Sequence, residues 1–164
     1  HYKKFDFVIE VFRELGLHIK IVGQGPEEAR IKKMAEGAPN IEFIPFVESN
    51  AELRNLYQNA RALVFPQIED FGLVAAEAIA CGTPVIAYNA GGAKEIVNAH
   101  SWTLFPQQTK KFLIKGINEF IAKELNFKPE IIAEQARKFS KENFIEEIEK
   151  IIKKYFSDMG LSNS

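Results

Sequence analysis

Apolar positions along the chain follow two periods. Phe5, Val8, Ile9, Phe12 and Leu15 recur at helical spacing and predict a first helix over Phe5–Leu15. His18 to Val22 is a short β-branched run, stopped by Gly23-Gln24-Gly25-Pro26, and predicts a strand. Pro26 suits the first turn of a helix running to about Glu36. A second strand is expected over Ile41–Val47, then a helix capped by Ser49 or Asn50 and carrying Leu53, Leu56 and Tyr57. A third strand follows over Ala62–Phe65, a helix over Gly72–Cys81 ended by Gly82, and a fourth strand over Pro84–Tyr88 closed by Gly91-Gly92. From Thr109 onward the pattern is all helical. The last helix starts at Ser140 with Phe144, Ile145, Ile148, Ile151, Ile152 and Tyr155 as its apolar face. Its Glu- and Lys-rich face reads as solvated, and a frayed tail is expected at 158–164 after a domain spanning 1–157.

Strands separated by helices point to an α/β fold, a Rossmann-like parallel sheet with helices on both faces and an all-helical C-terminal tail. The 164 residues suffice for one domain with a sizeable core. A formal net charge of −1 argues against nucleic acid as a partner, because phosphate backbones call for a basic excess. No apolar run is long enough to span a bilayer, and the start does not resemble a signal peptide. Cys81 is the only cysteine, which leaves no intrachain disulfide and is compatible with a reducing compartment. It reads as a core residue, as does Trp102. His1, His18 and His100 lack metal-ligand spacing. The chain opens on His1, as a piece of a longer protein or a trimmed tag would.

Open parallel sheets bind ligands at the carboxyl ends of their strands. That directs attention to the loops 23–26, 46–50, 66–72 and 89–93. The third leads into a helix that is apolar or small nearly all round, so burial on most sides is expected, with Glu77 as the one charge inside it. A buried carboxylate needs a partner. A ribose, with two vicinal hydroxyls, is one; an internal ion pair with a neighbouring Lys or Arg is the other. Asp70 reads as a cap or helix-dipole charge. Glu69 can also reach the cleft, and Gly72 permits close approach of a phosphate to a helix N-terminus.

Glu69-x-Phe71-Gly72-Leu73, then Glu77-Ala78-x-Ala80-x-Gly82-x-Pro84-Val85-Ile86-Ala87, then Gly91-Gly92-x-x-Glu95, resembles family 4 of the retaining GT-B glycosyltransferases. A bare pair of glutamates at that spacing is weak, whereas the joined string is specific. Glu69-Asp70-Phe71-Gly72 is similar to a mannosyltransferase-like branch, as more weakly is Phe105-Pro106-Gln107-Gln108-Thr109. Tyr2-Lys3-Lys4-Phe5-Asp6 resembles the end of the family's R-x-x-x-x-K motif, Ile21-Val22-Gly23-Gln24-Gly25-Pro26 its V-G-x-G-P turn, and Phe43 to Val47 with Leu53 and Tyr57 its F-x-G-x-V and L-x-x-x-Y strings.

The resemblance implies the C-terminal, nucleotide-sugar-binding half of a two-domain transferase. This half would hold a GDP-mannose or UDP-sugar donor, with no further cofactor and no metal. Glu69 and Lys3 would be catalytic, Glu69 holding sugar hydroxyls and Lys3, or else Lys4, offsetting leaving-group charge. Without the resemblance both lysines read as solvated. Glu77 would bind ribose. Gly72, Leu73 and Val74 would hold the diphosphate through their amides, with Phe71 and Gly23 beside it. Phe46 and Val47 would border the base. Acceptor glycan or lipid, and any membrane contact, would come through a missing N-terminal domain. The expected location is cytoplasmic, extending to the inner face of a membrane for the full-length protein. Pro45 stands where the family has glycine, Asn98 to Trp102 lacks its glycines, and the motif Arg and first strand are absent. Alternatives are a nucleotide-sugar epimerase of the same fold, a non-catalytic binding module, and a flavodoxin-like or receiver protein. The last would need an acidic phosphoacceptor pocket, for which the sequence gives no sign.

Overall fold

The structure is a computed structural model and describes residues 3–92, 96 and 102–159. Helix α1 (Phe5–Leu15) leads to strand β1 (Ile19–Val22), α2 (Glu28–Met34), β2 (Ile41–Ile44) and α3 (Asn50–Gln58). Strand β3 (Leu63–Phe65), α4 (Leu73–Ala80), β4 (Val85–Tyr88) and β5 (Trp102–Phe105) follow. The chain ends in α5 (Lys110–Lys123), α6 (Pro129–Glu134) and α7 (Lys141–Asp158), with 3₁₀ turns at Glu124–Asn126 and Gln135–Phe139. The helical region expected from Thr109 onward is thus observed. Among the described residues no helix is long and apolar enough to cross a membrane.

All described strand pairs are parallel, in two sheets: β1 with β2, and β3-β4-β5 in that order. Strand β4 shows why this second sheet is apolar throughout. Val85 and Ala87 point into one core with Phe65, Ala75, Ile79 and Ile132. Ile86 points into another with Val8, Phe12, Phe105 and Ile117. A parallel strand covered by helices on both faces needs apolar residues at every position. Helix α1 joins the sheets. Its Ile9 packs with Ile21, Ile31 and Ile41 of the β1-β2 side, while Val8, Val11 and Phe12 enter the core beside β4 and β5. Asn40 Nδ2 ties the end of α1 to this arrangement by donating to the carbonyls of Phe12 and Leu17 at 2.9 and 2.7 Å.

The boundaries shift for local reasons. β2 stops at Ile44 instead of Val47, since Pro45 has no N–H for a ladder. α2 begins at Glu28, past Pro26. Gly72 is the left-handed N-cap of α4 at φ 88°, outside the helix. Strand β5 was not expected: the buried Thr103 of Trp102-Thr103-Leu104-Phe105 interrupts its apolar run. The expected turn over Asn98–Ser101 lies outside the described residues, and so does the tail beyond Met159. Helix α7 runs through Ser157 to Asp158. Its apolar face stays open: Phe144, Ile151 and Tyr155 are each more than 60% exposed.

Truncation of a core side chain leaves a cavity, at a cost of about 2–5 kcal/mol for Ile→Ala. Ile9→Ala, at a position with 0% exposure, is expected to fall in that range in urea unfolding. Ile151→Ala, on the open face of α7, is expected to change stability by less than about 0.5 kcal/mol.

Candidate functional site

Residues 66–72 leave the carboxyl end of β3 and turn into α4. This loop is held from two sides. Gln108 Nε2 donates to the Pro66 carbonyl at 2.7 Å. Gly92 N–H donates to the Glu69 carbonyl at 2.9 Å. The second contact requires glycine, because a Cβ on Gly92 would lie 2.2 Å from the Asp70 carbonyl oxygen and one on Gly91 would lie 2.5 Å from that of Glu69. Gly91 also has φ 65°, a conformation that L side chains rarely adopt. The glycine pair in the sequence is therefore a backbone-on-backbone seat. The remainder of that motif, Ala93-Lys94-Glu95, lies outside the described residues.

Glu69 is half-buried, and its Oε1 accepts from Gln67 Nε2 at 3.1 Å. Gln67 is itself only 6% exposed, so it is a fixed donor. Asp70 is exposed and caps nothing: α4 has no side-chain cap, and the first bonds into the helix run from the Ala75 and Ala76 amides to the Gly72 carbonyl. The amides of Leu73 and Val74 precede the intrahelical ladder, as those of any first helical turn do. Phe71 is 50% exposed and meets Phe139 edge to face at 5.6 Å, which anchors the loop to the C-terminal segment.

Glu77 differs from expectation. It is exposed, not buried. Leu73, Glu77 and Ala80 fall at i, i+4 and i+7, one outward stripe, while Ala75, Ala76, Ala78 and Ile79 carry the buried side. The apolar composition of α4 concealed this because Leu73, though 64% exposed, is hydrophobic. Among the described residues the partner of Glu77 is also not a Lys or Arg. Tyr57 Oη donates to its Oε2 at 3.1 Å. Burial, then the charge of Glu77 and this hydrogen bond, hold the Tyr57 phenol well above its ordinary value.

The other expected residues lie on other elements. Gly23 follows β1 with φ 121° and open space where a Cβ would be, and its N–H donates to the Ile44 carbonyl at 3.0 Å. Phe46 is 60% exposed and Val47 half-buried in the loop after β2. Lys3 is half-buried in the turn before α1, at whose N-cap Lys4 takes φ 56°. Tyr2 lies outside the described residues. Phe46 after β2, Ile68 and Phe71 after β3, and Leu73 at the start of α4 are exposed large hydrophobic residues. Sequence reasoning missed the supporting shell of Gln67, Gln108 and the Tyr57 hydroxyl. Tyr57 carried a signal as the last residue of the string Leu53-x-x-x-Tyr57, and Gln108 a weaker one within Phe105-Pro106-Gln107-Gln108-Thr109. Among the described residues no group of three or more His, Cys, Asp or Glu could hold a metal ion.

The profile of the family described as "Glycosyl transferases group 1" matches residues 1–155. A glycosyltransferase of Haemophilus influenzae is 29% identical over 128 residues, covering 73% of this chain and 36% of its own length. A Mycobacterium tuberculosis GDP-mannose-dependent α-(1-6)-phosphatidylinositol dimannoside mannosyltransferase is 37% identical over 82 residues, 49% of this chain and 21% of that protein. Among solved structures, sucrose-phosphate synthase from Thermosynechococcus elongatus superposes with TM-score 0.78 at 24% identity, over 96% of this chain and 43% of that one. An Anabaena protein in complex with UDP and glucose gives TM-score 0.69 at 22% identity, over 95% and 45%. The chain spans less than half the length of these relatives.

Gly92→Ala forces its new methyl into the 69–71 backbone and is expected to lose about 1–3 kcal/mol in urea unfolding. The raised Tyr57 value gives a pH dependence of known sign. Above about pH 10 the phenol ionises first in the unfolded chain, so its contribution to stability is full below that pH and lost as pH rises. Tyr57→Phe is expected to make stability fall less steeply above about pH 10, read from unfolding midpoints at successive pH values.

Proposed function

This chain belongs to the glycosyl transferases group 1 family, and we propose that it is the donor-binding half of a retaining transferase that moves a hexose from a nucleoside diphosphate sugar to a glycan or lipid-linked acceptor. The observation that carries this reading is the pairing of two carboxylates with one helix N-terminus. Glu69 precedes the first turn of α4, Glu77 lies on its exposed stripe, and Gly72 leaves the intervening amides without a side-chain cap. A helix start of this kind favours an anion through its N–H groups and dipole. The diphosphate would lie against the Gly72, Leu73 and Val74 amides. Glu77 would accept from the ribose hydroxyls, and Glu69, steadied by Gln67, from those of the sugar. Gly23, with open space over its Cα, would let the ligand pass close to the backbone, and Phe46 and Val47 would flank the base.

Bond cleavage leaves negative charge on the diphosphate. In this reading that charge is met by the α4 amides and the Lys3 ammonium, groups positioned before the charge develops. The mannosyl reading of the donor rests on the Glu69-Asp70-Phe71-Gly72 string and on the GDP-mannose dependence named for the mycobacterial relative. The UDP bound by the Anabaena neighbour favours a uridine donor as the second reading. The acceptor would be held by parts of the longer protein that the relatives possess beyond this chain.

Calorimetric titration of GDP, UDP and ADP into this chain tests the site. Glu77→Ala is expected to weaken binding of the preferred nucleotide by about 1–3 kcal/mol, the range for hydrogen bonds to a charged group. Equal affinity in both variants would remove Glu77 from the ribose, and binding of none of the three would remove the donor site.

A further inference from the structure

Glu77 is an exposed carboxylate on a helix of small residues, yet one of its oxygens is fixed. The residue that fixes it sits on a different element. Tyr57 belongs to the last turn of α3, and its own backbone is pinned to the turn before β4: Thr83 Oγ1, on a residue 2% exposed, donates to the Tyr57 carbonyl at 2.7 Å. Thr83 N–H in turn donates to the Ala78 carbonyl of α4 at 2.9 Å. The Tyr57 ring packs at the edge of the core formed by Phe65, Ile79 and Val85. From this braced position its hydroxyl reaches Glu77 Oε2 at 3.1 Å.

We propose that Tyr57 is a positioning residue for nucleotide recognition: its hydroxyl holds the Glu77 carboxylate in the orientation that grips the ribose. The proposal rests on the donor-site reading above and adds a residue to it. A free surface glutamate loses rotamer freedom when it engages a ligand, and that loss opposes binding. Tyr57 orders the carboxylate before the nucleotide arrives. Oε2 accepts the hydrogen bond from the phenol, and Oε1, with the remaining lone pair of Oε2, stays available to the vicinal hydroxyls.

The alternative is that Tyr57 serves only to pack α3 onto the core. Tyr57→Phe separates the two, since the ring stays and only the hydroxyl goes. Binding of GDP and UDP is measured by calorimetry in the original chain, Tyr57→Phe, Glu77→Ala and the double variant, and again with the matching 2′,3′-dideoxynucleoside diphosphates. Tyr57→Phe alone is expected to weaken ribonucleotide binding about 3- to 10-fold, the effect of one hydrogen bond. In the Glu77→Ala background, or with the dideoxy ligands, the same substitution is expected to change nothing, because the group it orients or the group that is gripped has gone. An unchanged affinity in Tyr57→Phe, while Glu77→Ala weakens binding, overturns the role of Tyr57 and leaves the donor site standing. An equal loss in all backgrounds also overturns it, since a general disturbance of α3 adds to every variant. An affinity unmoved by Glu77→Ala overturns the ribose assignment, and this inference with it.

Discussion

The backbone of Gly92 lies so close to the carbonyls of Asp70 and Phe71 that no side chain fits between them. The loop 66–72 and the start of α4 depend on that approach. The amide of Gly92 holds the Glu69 carbonyl, and the turn so fixed sets where Gly72 starts α4 and hence the direction of the Leu73–Glu77 stripe. Gln108 holds the same loop at Pro66. Two strand ends, those of β4 and β5, thereby support the loop that leaves β3.

The architecture was legible where local chemistry and tertiary demand agree. The alternation of α1 and the apolar runs of β3 and β4 have one stable answer each, because their faces must be buried. Strand β5 was not legible: a threonine facing the core breaks the apolar run that marks β3 and β4. At the candidate site, the Gly91-Gly92 pair could be read because its role is backbone geometry. The burial of Glu77 was misjudged because helix composition says how apolar a helix is and not which side is outward. Leu73 and Ala80 share that outward side with it. The contacts of Gln67 and Gln108 depend on which loops meet in space, which a single sequence does not encode locally.

Helix α4 divides its labour by face. The alanines at 75, 76 and 78 have small side chains that let it lie close to β3 and β4, and Ile79 fills the core beneath. The opposite stripe of Leu73, Glu77 and Ala80 is exposed. The C-terminal segment then closes over one end: Gly82 at φ 79° leaves no room for a side chain against Pro129, and Phe139 meets Phe71. The helices after Thr109 are therefore part of the same packed unit, with α7 alone presenting an uncovered apolar face.

The described strands share no ladder between β2-β1 and β3-β4-β5. Gly23 and Phe46 ride on the first pair, and Glu69 and Glu77 on the second. The spacing between the loops of Gly23 and Phe46 and the carboxylates of Glu69 and Glu77 consequently depends on how α1 beds into two cores through Ile9 on one side and Val8, Val11 and Phe12 on the other. A change of volume at those hidden positions would shift the two sets of loops against each other without altering any residue in them. Variation inside α1 is thus a way to retune the distance between two surface regions from the interior.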